Sequence, residues 1–520
     1  MSVTRPNIVL IMTDQERFPR HMDQVDLRAH LPNRHRLYDK GVSYQNFYIN
    51  AAPCTPNRSV IFTGLYTQQT WMVGNAEMKQ PDMDPAFPTF GTALKELGYA
   101  TNYFGKWHLS TEPSGKLGLD AYGFENFALG EEFHGDANQG GEKDPIIAKA
   151  AADFLQVKQS QPFLAVISFI NPHDIMYFPD GMIPAQSEGV YEGMDVPPNF
   201  ETLQQLRQRK PDCQAQYKRL YEAVMGDMPD DINSEAGRNA YVHYMNYYLW
   251  LQTKVDAQIG VVLDALESSE NRQNTIVIFT ADHGDQIGSH GLSGKQCLAY
   301  EESLHVPFCV RDYSDQVIPA DQAGSTRSQF GSSIDIFPTV LSIALNGEAW
   351  PENYKHLRGV DLKPNLRDAS QPTKNEVLFT YDFNLPGVVF GPDHIRCSIT
   401  QDWKGAVYNH WQMDNANQPQ PDDPDAAVSI RKGVVARELY SRSDDPLEMN
   451  NLANSSTHAD QMAQIEAHLD QVLETELRAP LPQEMQAASD AAKAGYVSYQ
   501  VYGPAPMPEE IKKFRKDYLG

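Results

Sequence analysis

Two hydrophobic patterns alternate along the first two thirds of the chain. Residues 7–12 (NIVLIM) form a short branched apolar run that ends in the polar TDQ, as expected of a central strand buried on both faces. Three later runs have the same form, and each follows a helix-like stretch. TFGTALKELG precedes YATNYFGKWH, IIAKAAADFLQV precedes PFLAVISFINPHD, and YYLWLQTKVDAQIGVVLDALES precedes NTIVIFTADHGD. Helix followed by strand, repeated, predicts an α/β fold: a mostly parallel sheet with helices on both faces. Ligands bind such sheets beyond the carboxyl ends of the strands. Asp14 and Gln15, Lys106 and His108, His173 and Asp174, and Asp282 and His283 all fall at those ends. They are expected to converge in one site.

After about residue 375 the pattern changes. VLFTYDF, HIRCSITQDWKGAVY and ELYSRSDDPLEMNNLA read as short strands with turns between them, followed by a helix over about 458–477. Its apolar positions Met462, Ile465, Leu469, Val472 and Leu473 share one face. The predicted organisation is therefore a large α/β domain over 1–375 and a small C-terminal α+β domain over 376–478. The tail, 479–520, has too little apolar pattern for its own core and is expected to be an extended arm across this subunit or a neighbour, in a homo-oligomer. No internal repeat or low-complexity tract interrupts this order.

Composition narrows the partners. The 520 residues are 41% hydrophobic, enough for more than one core, and carry a net charge of −25 from 68 acidic and 43 basic residues. Such a charge argues against nucleic acid and against an anionic membrane surface. An anionic substrate would need cations gathered inside its pocket. No stretch approaches the roughly 18 uninterrupted apolar residues of a membrane span, and the apolar N-terminal run reads as a buried strand rather than a signal peptide. The five cysteines, Cys54, Cys213, Cys297, Cys309 and Cys397, are scattered, odd in number and form no CxxC pair. A reducing cytoplasm is the expected compartment, which would mean a small substrate imported or made inside the cell.

One cysteine has special neighbours. In APCTPNRSVIFTG, Thr55 followed by Pro56 predicts a helix start, with threonine as N-cap and proline at the first helical position. Cys54 would then lie beside free backbone amides that favour an anion. Arg58, one turn on, can point back to the same spot. These residues alone leave Cys54 open as a buried thiol, a metal ligand, a nucleophile or a residue to be modified.

CTPNR, with the downstream Thr63 and Gly64, resembles the C-x-P-x-R signature of the type I sulfatases, a branch of the alkaline phosphatase superfamily. NIVLIMTDQ, GKWHL, TADHGDQIGSHGLSGK, VDAQIGVVLDALE and DPLEMNNLA resemble further family segments in the same order, covering about residues 5–455. The resemblance implies an alkaline-phosphatase-like α/β/α sandwich. It also implies that Cys54 is oxidised to formylglycine (3-oxoalanine) by a formylglycine-generating enzyme, and that its hydrated aldehyde attacks the sulfur of a small sulfate ester. Asn57 stands where the family usually has serine.

The resemblance implies a metal site at Asp14, Asp282 and His283, with Gln15 as a fourth candidate and Cys54 as a further ligand. These mainly oxygen donors suit one hard divalent cation, calcium first and manganese or magnesium as alternatives. Many family members have two adjacent acids where this chain has Asp14 then Gln15. Each acid alone would more plainly be a helix cap. Lys106, His108, His173 and Lys295 would supply the cations that the overall charge makes necessary. Lys106 and His108, two apart at a strand end, point the same way. His173 resembles the family's general acid, Lys295 its sulfate-binding lysine and Asn75 an asparagine near the ester oxygens, while His108 would serve as a base. His290 and His305 read as structural histidines. Residues of about 181–233 are expected to wall the substrate pocket.

Two alternatives stay open. A phosphonate monoester or phosphodiester hydrolase of the same superfamily would share Asp14, Gln15, Asp282 and His283, though that branch tends to lack the Lys and His pair of GKWHL. A protein that only binds an anion at an unmodified Cys54 is the other. Nothing in the chain distinguishes a sugar sulfate from an aryl or alkyl sulfate.

Overall fold

The computed structural model describes residues 5–75, 82–110, 118–128, 137–181, 193–295, 298–382, 394–411 and 430–502. Eight strands form the large sheet: β1 (Asn7–Asp14), β2 (Val42–Tyr48), β3 (Ala100–Gly105), β4 (Asn126–Ala128), β5 (Phe163–Pro172), β6 (Thr275–Ala281), β7 (Phe308–Asp312) and β8 (Ser325–Ser332). Their order is β4-β3-β5-β1-β6-β7-β2-β8. All neighbours are parallel except β7, which runs antiparallel to both β6 and β2. The mostly parallel sheet is therefore as expected. The reading from periodicity missed β2 and β8, whose apolar runs are broken by polar residues, and the short β4 and β7.

The two faces of β1 show why the layers form. Ile8, Leu10 and Met12 join one core cluster with Phe62, Phe90 and Phe337, while Val9 and Ile11 join another with Ile147, Ala151 and Val262. Side chains alternate across a strand, so an all-apolar strand must be covered on both sides. On the first face lie α1 (Cys54–Thr63), the short α2 (Thr67–Thr70), α3 (Phe90–Glu96) and, later in the chain, α6 (Ile336–Leu345). On the second lie α4 (Gln139–Gln156) and α5 (Glu235–Glu267).

A separate antiparallel sheet contains β9 (Glu376–Tyr381), β10 (His394–Thr400), β11 (Trp403–Trp411) and β12 (Ile430–Ser441) in the order β12-β11-β10-β9. Helix α7 (Ala459–Val472) packs on it through Met462, Ile465 and Leu469. Gly405 permits that approach, because a Cβ there would stand 2.8 Å from Ile465. The C-terminal segment departs from the extended arm expected of it. Gln483–Tyr502 form a helix, α8, that packs on α2 and buries Met485 and Ala488 in the main core cluster. Met485 and Ala488, with the partly buried Ala492, repeat at helical spacing and sufficed once a neighbouring surface was present. Residues 503–520 lie outside the described residues, as does Cys297; Cys54, Cys213, Cys309 and Cys397 are buried free thiols. Of the expected substrate walls, 182–192 lie outside the described residues and the remainder includes helices Leu203–Arg209 and Asp212–Met225.

Candidate active site

Sheet order explains how residues far apart in sequence meet. β1 lies between β5 and β6, with β3 on the outer side of β5. Parallel strands about 4.8 Å apart place their carboxyl ends side by side. Asp14 ends β1, Asp282 and His283 follow β6, His173 follows β5, and Lys106 and His108 follow β3. Cys54 comes from elsewhere: it is the first residue of α1, whose ten residues are all buried.

The helix starts two residues earlier than expected. Pro53 occupies the N-cap position and Thr55 is inside the first turn. Thr55 therefore does not cap; its Oγ1 donates to the His108 carbonyl at 2.7 Å, and its backbone N–H donates to Asn75 Oδ1 at 3.2 Å. Asn75 thus supports the cysteine's helix through its side-chain oxygen. Thr55 also ties the helix start to the loop that presents His108.

Around the Cys54 sulfur, Lys295 Nζ lies at 3.0 Å, His283 Nε2 at 3.1 Å and Asp14 Oδ1 at 3.8 Å. His108 and His173 are close enough to influence it electrostatically. Burial alone would raise this thiol's pKa, but Lys295, Lys106, His283 and His108 outweigh it and hold the group well below the ordinary value. The position favours an anion, so the local cations required by the chain's acidity are present. In the mature residue that the resemblance implies, Sγ stands in for an aldehyde-hydrate oxygen. Asp14, Cys54, Arg58, Lys106, His108, His173, Asp282 and His283 are all at most 2% exposed, and Lys295 is half-buried.

Arg58 does not reach toward the sulfur as expected; it braces the two acids. Its Nη2 donates to Asp14 Oδ2 at 3.0 Å, its Nε to Asp282 Oδ2 at 2.8 Å, and its Nη1 to the Lys106 carbonyl and Ser168 Oγ. Burial opposes its charge, yet the Asp282 and Asp14 carboxylates keep its pKa above the ordinary value. Asp14 is also paired with Lys106 Nζ at 2.8 Å. Burial and Cys54 push its pKa up, but Lys106, His173 and Arg58 hold it well below the carboxylate range.

With the Oδ2 atoms engaged by Arg58, Asp14 Oδ1 and Asp282 Oδ1 each lie 3.8 Å from His283 Nε2. His283 Nδ1 contacts the Gly284 carbonyl at 2.9 Å, which turns Nε2 into the cluster. Ligand atoms of Asp14, Cys54, Asp282 and His283 all lie within 4.8 Å of one another. Gln15 Oε1 is buried without a hydrogen-bond partner, and the Gln15 backbone N–H donates to Asp282 Oδ1 at 3.1 Å. Two carboxylates, an imidazole nitrogen and an orphaned amide oxygen fit a hard divalent cation.

The structure brings Asp14, Gln15, Cys54, Arg58, Lys106, His108, His173, Asp282, His283 and Lys295 together, whereas Asn75 is joined to them only through the Thr55 N–H. Three supporting roles appear only in the structure. Asn57 donates to the Asp282 carbonyl at 2.5 Å and to Ser333 Oγ at 3.0 Å, and accepts from the Asn50 N–H at 3.2 Å. The Asp174 carboxylate takes the Gly140 and Gly141 N–H groups, tying the start of α4 to the turn that carries His173. Asp285, three residues beyond Asp282, accepts from Gln15 Nε2 at 2.5 Å. An acid so near two ligands was the available signal for the last. His290 and His305 lie apart from this cluster, the former 2.8 Å from Glu201 and the latter 3.6 Å from Glu301.

A family model described as sulfatase matches residues 6–346. The N-acetylglucosamine-6-O-sulfatase of Bacteroides thetaiotaomicron is 25% identical over 88% of this chain and 84% of its own length. A putative sulfatase from the same species has the same fold, with a TM-score of 0.67 at 21% identity over 96% of each chain. The phosphonate monoester hydrolase of Silicibacter pomeroyi shares the fold too, with a TM-score of 0.69 at 19% identity over 91% of this chain and 96% of its own. The α/β/α sandwich is thus that of the alkaline phosphatase superfamily, and, with two thirds of its length matched, the chain belongs to the sulfatase family and is a sulfuric ester hydrolase.

Proposed function

We propose that this sulfatase works with formylglycine at position 54 and one divalent cation, and that its substrate is a sulfated sugar. The observation that carries the reading is the Cys54 sulfur itself, held among Lys295, His283, His108, His173 and Asp14 at the start of α1. Hydrated formylglycine there supplies a hydroxyl nucleophile for sulfur. Asp14, Gln15, Asp282 and His283 would hold the cation, which when bound would supply positive charge to acidify that hydroxyl and attract the sulfate oxygens. The name of the Bacteroides relative supports a sugar as the alcohol.

The chain's own residues do the rest. Lys106 and Lys295 bring positive charge to the sulfate oxygens, where charge grows as the ester bond breaks. His173 carries a proton to the departing alcohol, a contribution of about 10²–10⁴-fold in such reactions. His108 accepts a proton as sulfate is released. Arg58 holds the two acidic ligands together and keeps their Oδ2 atoms occupied. No described helix is long and apolar enough to cross a membrane; the free thiols of Cys213, Cys309 and Cys397 support the cytoplasmic setting within this reading.

Mass spectrometry of the peptide containing position 54, from protein matured in its native host, tests the modification. Conversion lowers the peptide mass by about 18 Da, and turnover should vanish in Cys54→Ala while the fold persists. An unshifted, fully active protein would refute the formylglycine reading. Rates on a sulfate and a phosphonate ester of one alcohol decide the reaction class, and a preference for the phosphonate would overturn the sulfatase assignment of the site. Dialysis against a chelator should abolish turnover, with recovery on adding calcium or manganese.

A further inference from the structure

Gln15 is an unusual neighbour for an acidic metal cluster, because an amide can present either its oxygen or its NH₂ group. Its neighbour resolves the choice. Asp285 is fully buried, accepts the Ile287 N–H through Oδ1 at 2.8 Å, and accepts Gln15 Nε2 through Oδ2 at 2.5 Å. An ionised carboxylate has no proton to give, so it binds the amide only by its NH₂ end. Gln15 Oε1 is thereby turned away from Asp285 and is left buried with no hydrogen-bond partner. The Gln15 backbone is pinned as well, its N–H on Asp282 Oδ1 and its carbonyl accepting from the Tyr248 hydroxyl at 2.8 Å.

We propose that Asp285 is a positioning residue for the metal centre: by holding Gln15 through Nε2 it presents Oε1 as a neutral oxygen ligand beside Asp14 and Asp282. This rests on the reading of a divalent cation at that cluster. It assigns the negative charge of Asp285 a place one hydrogen bond away from the cation, where it favours the cation without occupying a ligand position. The anchored carboxylate also explains why an amide suits position 15: a carboxylate there would face Asp285 at hydrogen-bonding distance, like charge against like charge in a buried setting.

The test is a direct metal titration of the purified full-length protein with Mn²⁺ and with Ca²⁺, each alone, against a competing chelator. Wild type, Asp285→Asn, Gln15→Ala and the double variant form a cycle. Asparagine at 285 can offer either a donor or an acceptor to Gln15, so the orientation is no longer forced. Outer supports of this kind are worth roughly 10–100-fold in metal affinity. Asp285→Asn is expected to weaken binding about tenfold or more when Gln15 is present, and clearly less in the Gln15→Ala background. Equal losses in both backgrounds, or no loss in either, would overturn the proposal. Should Asp285→Asn fail to fold, Asp285→Glu keeps the charge but displaces the acceptor, and the same background dependence is required of it. Asp282→Asn separates the two levels. If it leaves metal affinity unchanged, the metal reading itself fails; if it abolishes binding while Asp285→Asn does not weaken it, only the role of Asp285 fails.

Discussion

Lys295 Nζ and His173 Nε2 stand 2.8 Å apart. An ammonium can only donate, so Nε2 must be the unprotonated nitrogen of the ring. Burial, then Lys295 and Lys106, push the pKa of His173 down to about 3. A histidine in that state cannot begin catalysis as an acid at neutral pH; an arriving anion must first offset the lysines.

The sign of a pH effect follows. Lys295 disfavours imidazolium, so Lys295→Ala should raise the pKa of His173 toward its ordinary value of 6.5. Because His173 acts as the acid, its titration sets the alkaline limb of the kcat/KM profile, and that limb should move to higher pH, along with a rise in KM from the lost sulfate contact. An alkaline limb that stays in place in the variant would contradict the coupling.

Arg58 is the next critical support, since one guanidinium braces Asp14 and Asp282 with all three side chains fully buried. Removing one member of a buried charged set typically costs about 3–5 kcal/mol, because the remaining charges lose their partner. Arg58→Met should show that loss in urea unfolding. Comparing it with wild type in the unmodified cysteine form keeps maturation out of the measurement. A loss below about 1 kcal/mol would show that the acids find other partners.

Asn57 departs from the serine usual in the resembling family, and its amide makes three hydrogen bonds that join α1 to the Asp282 carbonyl, Ser333 and Asn50. Asn50 in turn accepts the Ile334 N–H and donates to the Leu378 carbonyl in β9. A serine hydroxyl cannot span these partners. Asn57→Ser should therefore cost about 1–3 kcal/mol in denaturant unfolding, while the mass of the position-54 peptide still reports conversion. Unchanged stability would mean that water replaces the amide.

His305 ties stability to pH. It stacks between Phe18 at 4.0 Å and Tyr48 at 4.7 Å, and burial lowers its pKa to about 4 despite Glu301. The unfolded chain, titrating near 6.5, binds more protons than the native state between those values. Its contribution to stability is therefore present above pH 6.5 and is lost progressively as pH falls toward 4, by about 3 kcal/mol in all. Urea unfolding across that range should fall more steeply for wild type than for His305→Phe. Parallel curves would show that His305 is already protonated in the fold.

Much of this molecule could be read from residue order. The alternation at 7–12, 100–105, 163–172 and 275–281 marked four buried strands, and each was followed by polar residues that the structure gathers at one edge of the sheet. The motif around Cys54 singled out one thiol among five. By contrast β2, β4, β7 and β8 escaped notice, because strands that are short or interrupted by polar residues carry a weak periodic signal. Helix α8 was read as an arm for a related reason: its few apolar residues gain order only from the surface of α2.

What local pattern could decide was which residue types stood at strand ends, and hence that acids, histidines and lysines would meet. Periodicity depends on neighbours a few positions apart, and that information lies in the chain itself. Which atoms face one another depends on contacts between positions hundreds of residues apart, and only packing of the sheet brings these together. So it was the tertiary structure that turned Arg58 toward Asp14 and Asp282, set Lys295 against His173, and placed Asp285 on the NH₂ end of Gln15. The reason is physical: a buried charge or amide must find a partner, and the partner is whichever group the fold delivers within about 3 Å.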